Sequence, residues 1–224
     1  MLVTMKEILD RAKEGNYGVT APNVQSEDTV RAVIEVAEKC KAPMIIDVNA
    51  FIHPDLPWFV HMIRDLASQA SVPIAINLDH GRSYEDIMLG IRSGFTSIMV
   101  DRSALSYEEN RDQTKEVVKM CKPLGMTVEA ELGHVGMGTN YEVDGVSNLT
   151  VPEEAAKFIE ETVLTVWQWQ WELHMAVIKE NRILTLNVWR RLWKHAVIHR
   201  WYFMEEVEPE MRIWQKQLNA ESRK

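Results

Sequence analysis

The segment PIAINLDHG, residues 73–81, is a run of branched and small apolar residues that ends on an amide, a carboxylate, an imidazole and a glycine. A short apolar run without polar alternation suits a strand buried on both faces of a parallel sheet. Similar runs recur at residues 17–21, 43–48, 95–100 and 126–132. Helical patterns with start signals lie between them. Ser26-Glu27-Asp28 opens a helix over residues 29–39, Ser83 with Asp86 makes a capping box, and Ser106 with Glu108 and Glu109 opens another helix. Pro152-Glu153-Glu154 starts a fifth, with proline in the first turn and acids near the positive end of the dipole. Five strand–helix units within residues 1–162 predict an α/β fold, a (β/α)8 TIM barrel that is incomplete here. A full barrel takes about 250 residues. A doubly wound sheet is the alternative, but no glycine fingerprint follows the first run.

Barrel chemistry gathers where strands end. Asp79 and His80 stand side by side at such an end, where an imidazole can ligate a metal while a carboxylate exchanges protons. The plain alternative is a helix-capping Asp beside a surface His. The run at residues 95–100 leads into Asp101-Arg102-Ser103, and here Asp101 is either a site residue or a cap paired with Arg102. Glu129 and Glu131 alternate onto one face of a buried strand, which is costly unless the acids are paired or bind a metal.

Two cysteines, Cys40 and Cys121, provide no disulfide framework and suggest a reducing compartment. The chain opens without a signal-peptide pattern and has no apolar stretch of about 18 residues, so the expectation is a cytoplasmic protein without a membrane partner. A net charge of −8 argues against nucleic acid as a partner.

The chain changes character near Thr162. All 10 glycines lie at or before Gly145, while seven of the eight tryptophans lie at or after Trp167. Residues 1–162 carry 15 basic and 26 acidic side chains and residues 163–224 carry 10 and 7, so the charge balance reverses across the break. Turns and helix ends use glycine for positive φ, so its loss is odd in a loop-bearing fold. The genetic code offers an explanation. Tryptophan and methionine each have a single codon, and regrouping the codons of WQWQWELHMA from their third bases gives A-(V/M)-A-(V/M)-G, then variable small residues, then (H/Y)-G. The same shift applied to RWYFMEEVE permits V-V-L-H-G-G-S-G, and the stretch between permits Y-K-G-E-P-N-L-D-F-E-R-L. Residues 163–224 are therefore expected to be an out-of-frame tail, with residues 1–162 as the barrel part.

The segments APNVQSEDTVRAVIEVAE, PIAINLDHG, GFTSIMVDRSALSYEEN, GMTVEAELGHVG and PEEAAKFIEET carry a resemblance. The chain resembles the class II, zinc-dependent ketose-bisphosphate aldolases, closest to the fructose/tagatose-bisphosphate branch, from its N-terminus to about Glu161. The resemblance implies Asp79 as proton donor to the aldehyde, His80 as a zinc ligand, and Asp101 and Glu131 as a second or alternative metal position. The family's catalytic glutamate falls on Glu142, in a loop (GMGTNYEVDG) that departs from the family pattern. Implied with these are a phosphorylated sugar substrate and a homo-oligomeric parent. The family continues with AVAIGTAHG- and LHGGSG-type strands bearing the other two zinc histidines, the strings that the shifted frame permits. His174, His195 and His199 match neither. The chain as printed is therefore expected to bind zinc poorly and to be inactive.

Two other readings are compatible with the sequence. A non-enzymatic binding protein would use the Trp/basic tail, residues 188–200 for example, at a membrane interface or partner. A different phosphate-binding barrel enzyme would share the fold without the LDHG and ELG pair.

Overall fold

The computed structural model describes residues 1–15, 17–132, 152–164 and 166–169. Glu142 and nearly all of the tail lie outside these residues. Five strands, β1 (Met44–Asn49), β2 (Ile74–Gly81), β3 (Ser97–Val100), β4 (Thr127–Leu132) and β5 (Val166–Trp169), form one parallel sheet in the order β1-β2-β3-β4-β5. Each strand lies beside its sequence neighbours. That is the order of a barrel wall, whereas a doubly wound sheet reverses direction from its middle. The helices are α1 (Met5–Gly15), α2 (Glu27–Cys40), α3 (Leu56–Gln69), α4 (Tyr84–Ser93), α5 (Tyr107–Cys121) and α6 (Pro152–Thr162). The fold is an incomplete (β/α)8 barrel.

The helix starts follow the sequence signals. Ser26, Ser83 and Ser106 each cap a helix through a reciprocal capping box, with Thr29, Asp86 and Glu109 as the partners. Each box satisfies amides that the first turn would leave unbonded. Residues 17–21 do not form a regular strand. They run along β1, where Thr20 O and Pro22 O accept from Ile45 and Asp47, and Asn23 bridges Asp47. Pro22 has no N–H to donate to a ladder, so the pairing stays at isolated bridges. By contrast, Val166–Trp169 within the WQWQW region does pair in parallel with β4, at the place of a further barrel strand.

Helix α1 lies outside the sequence expectation, whereas α3 is the helix that five strand–helix units require between the runs at 43–48 and 73–81. α1 closes the N-terminal end of the barrel: Met5 N–H donates to Ser97 Oγ (3.1 Å) and Lys6 N–H to Thr127 Oγ1 (3.1 Å). Its Met5, Ile8, Leu9 and Ala12 pack with Ile45 and Ala75 beneath the interior. The larger core lies between the sheet and α2–α5. It holds Ile46, Val48, Ile76, Leu78, Ile98 and Val128 against residues such as Phe59, Ile63, Ile87 and Val117.

Gly90 of α4 packs closely against the sheet. A Cβ there would lie 2.8 Å from Leu78 Cδ2 and 3.0 Å from Ile98 Cδ1. Overpacking costs about 1–3 kcal/mol, more than the roughly 0.5–1 kcal/mol that alanine gains over glycine in a helix. Gly90→Ala is expected to lower the denaturant midpoint at unchanged slope, and a higher midpoint would show that α4 can move outward.

The cysteines differ in a measurable way. Cys40 is exposed at the end of α2, while Cys121 is buried and its thiol is pushed up to about 11 by that burial. The thiolate is the reactive form. At pH 8 a thiol reagent is expected to label one cysteine quickly in the native protein and both in denaturant. Fast labelling of both would mean that α5 opens readily.

Candidate metal-binding active site

Side-chain alternation builds the site. The residues that send Ile46, Val48, Ile76 and Leu78 into the helix-facing core leave Asp47, Asn49, Asn77 and Asp79 on the opposite, interior face. On β4 the same alternation puts Thr127, Glu129 and Glu131 inside, as the sequence predicts. Asp47, Asn77 and Glu129 are fully buried, with Asp79 and Glu131 nearly so.

Strict alternation would place Asp79 and His80 on opposite faces. The structure brings them together through an irregularity in the β2–β3 pairing between Leu78 and Gly81. His80 sits there at φ +49°, a left-handed conformation that is uncommon and strained for a residue with a side chain. Gly81 makes the turn possible, because a Cβ on it would lie 2.8 Å from the Met99 carbonyl oxygen. The imidazole consequently enters the interior, with Nδ1 2.9 Å from Asp101 Oδ2 and 3.9 Å from Glu131 Oε2, and Nε2 3.7 Å from Asp79 Oδ1.

Each carboxylate has its own support. Asn49 Nδ2 donates to Asp79 Oδ2 (2.9 Å) from the end of β1. Ser103 donates to Asp101 Oδ1 through both Oγ (2.7 Å) and backbone N–H (3.2 Å). Asn110 of α5 donates to the Glu131 carbonyl (2.9 Å) and ties the helix to the strand end. Arg102 does not pair with the Asp101 carboxylate. Its guanidinium turns back to the Gly81 and Asp101 carbonyls and to Gln113. Arg82, on the rim, is the arginine facing Asp101, at 3.8 Å. Nor does Asp79 cap α4, since Ser83 does.

The electrostatics follow from burial and mutual charge. Burial pulls the His80 imidazole down, but its hydrogen bond to Asp101 and the charges of Asp79, Asp101 and Glu131 outweigh this and raise it to about 9. Burial pushes Asp101 up, yet hydrogen bonds from His80 and Ser103 hold it well below the usual carboxylate range. Asp79 is raised by burial, with the His80 charge and the Asn49 bond only partly opposing it. Burial and the charges of Asp79 and Glu129 raise Asp47 well above an ordinary carboxylate.

His80, Asp101 and Glu131 each offer a ligand atom within 4.8 Å of the others. One imidazole nitrogen and two carboxylate oxygens, sheltered and converging, fit a divalent ion. Of the residues expected from sequence, Asp79, His80, Asp101 and Glu131 converge in space. Glu142 lies outside the described residues. Asn49, Asn77, Asp47 and Arg82 also belong to the cluster. The interior spacing of Asp47 and Asn49 on an apolar run was a readable signal, whereas the place of Arg82 depends on the turn after β2.

Fold and site together define a βα-barrel protein with a carboxylate–imidazole cluster, suited to a metal ion, where its strands end. A family model for class II fructose-bisphosphate aldolases matches residues 3–167. Over 165 residues, 72% of this chain, it is 41% identical to a fructose-bisphosphate aldolase of Thermus caldophilus, whose length it covers to 54%. It is 39% identical over 165 residues to the YdjI protein of Escherichia coli (strain K12), covering 59% of that protein. The crystal structure of the YdjI aldolase superimposes with a TM-score of 0.73 at 33% identity, over 91% of this chain and 72% of that one. The chain belongs to the class II fructose-bisphosphate aldolase family, and it spans about half the length of the curated relatives it matches. Among the described residues, no helix is long and apolar enough to cross a membrane.

Proposed function

We propose that the described residues form the proton-transfer and first-ligand half of a zinc-dependent ketose-bisphosphate aldolase. The reaction is reversible cleavage of a fructose or tagatose 1,6-bisphosphate to dihydroxyacetone phosphate and glyceraldehyde 3-phosphate. The observation that carries this reading is the convergence of Asp79 and His80 through the bulge before Gly81. His80 would hold the catalytic zinc, and Asp101 and Glu131 would supply a second or alternative metal position. Zinc, when bound, supplies Lewis acidity to the ketone oxygen. Asp79 carries the proton to and from the aldehyde-derived oxygen, in the role of a general acid–base. The raised Asp79 carboxyl suits a group that holds a proton and releases it again. Asn49 fixes the orientation of that carboxyl through its 2.9 Å bond. Glu142, outside the described residues, is the candidate for removing the proton from the ketone half.

The same reading places residues 163–224 out of frame, through a one-base loss or an equivalent gain near codons 162–163. The family match that runs to residue 167 and no further supports this. The nucleotide sequence of codons 160–166 tests it: if restoring one base there does not reopen the GTAHG and LHGGSG strings, the frame account fails. An EDTA-sensitive cleavage assay on the frame-restored protein tests the chemistry. Cleavage unaffected by EDTA would overturn the zinc assignment.

A further inference from the structure

One side-chain layer below the His80 centre lies a polar group that the proposed chemistry does not use. Asp47, Asn77 and Glu129 stand two residues before Asn49, Asp79 and Glu131 on β1, β2 and β4, which along a strand is about 6.6 Å deeper. Asn77 Nδ2 bridges the two acids, donating to Asp47 Oδ1 (3.2 Å) and to Glu129 Oε2 (3.0 Å). All three residues are fully buried. Yet among the described residues, Asn77 Oδ1 and Glu129 Oε1 are buried acceptors without a hydrogen-bond partner. An unsatisfied buried polar atom costs about 1–3 kcal/mol, and more when it is charged. Glu129 also lies near the charges of Asp79 and Glu131, which the Asn77 hydrogen bond and the His80 charge oppose.

We propose that Asp47, Asn77 and Glu129 form a second, deeper cation site distinct from the His80 centre. Its open donors are Asn77 Oδ1 and Glu129 Oε1, and Asp47 adds counter-charge. A carboxylate–amide, all-oxygen donor set selects a hard ion such as Na+, K+, Mg2+ or Ca2+ over zinc. The His80 centre, with its nitrogen donor, has the opposite preference. A water could donate to both open acceptors, but it brings no positive charge to a layer that holds two buried acids. A cation satisfies the acceptors and the charge together. Its structural effect is to tie β1, β2 and β4 into one layer beneath the metal centre, so the ion acts on stability rather than on the reacting atoms.

Thermal unfolding of the full chain tests this after EDTA treatment and dialysis, in NaCl, KCl, MgCl2 or CaCl2 against choline chloride at equal ionic strength. Ligand binding to the native state alone raises the melting temperature, here by about 5 °C or more at saturation. One of the four cations is expected to give this rise in the parent chain and in His80→Ala, and to lose it in Glu129→Gln. Asp47→Asn serves as a second variant should Glu129→Gln fail to fold, and it is expected to lose the rise as well. Melting temperatures that no cation distinguishes from choline would overturn the proposal and leave the layer neutralised by protons. So would a rise that persists in the folded variants. The aldolase reading stands on zinc at His80, so either result leaves it untouched.

Discussion

Restoring one base near codon 163 is expected to turn an inactive chain into a zinc enzyme. The printed chain should show no bisphosphate cleavage above the buffer rate, and the restored chain should show EDTA-sensitive turnover. The expected gap is large, because enzymes accelerate reactions by roughly 10⁶-fold or more. Binding should change with it. A catalytic zinc site has three protein ligands and an open position, and the family pattern places one matching histidine, His80, among residues 1–162. The His80–Asp101–Glu131 triad is a three-donor site in its own right. His80 Nδ1 also lies 2.9 Å from Asp101 Oδ2, so an ion at that nitrogen competes with a charge-assisted bond. We expect the printed chain to hold zinc roughly 100-fold or more less tightly than the restored one, a loss at least as large as that from removing an outer-shell partner. Equilibrium dialysis against a chelator of known affinity measures the difference. Tight stoichiometric zinc with turnover in the printed chain would sink the frame account.

The second large effect belongs to Asp79. In the restored protein, Asp79→Asn keeps the shape and the Asn49 neighbour but removes the exchangeable proton. General acid–base groups contribute about 10²–10⁴-fold, so kcat should fall by that factor. Zinc content should stay unchanged and KM should move little, because the lost interaction operates in the transition state. His80→Ala should instead lose zinc and activity together. If Asp79→Asn also strips the zinc, Asp79 is a ligand and its assigned role is wrong.

The sheet was largely readable from the chain. Unbroken apolar runs marked β1 to β4, and Ser26, Ser83 and Ser106 announced the helix starts through hydrogen bonds made within four residues. Signals that local are fully contained in sequence. The run at residues 17–21 misled, because its pairing partner, not its own composition, decides whether a strand forms, and Pro22 removes a donor from the ladder. α1 went unread because its role depends on Ser97 and Thr127, about a hundred residues away.

The site divides along the same line. Sequence alone determined which groups are present: two acids on one face of β4, an Asp-His pair at the end of β2, an Asp after β3. It also carried the family resemblance and the change of composition near Thr162, since both are properties of residue order. Only the tertiary structure decided that Asp79 and His80 act on one side. Period-two alternation separates them, and it takes a bulge, a left-handed His80 and the space beside Gly81 to reunite them. Register between strands fixes that geometry, and register is set by long-range packing rather than by neighbours in the chain.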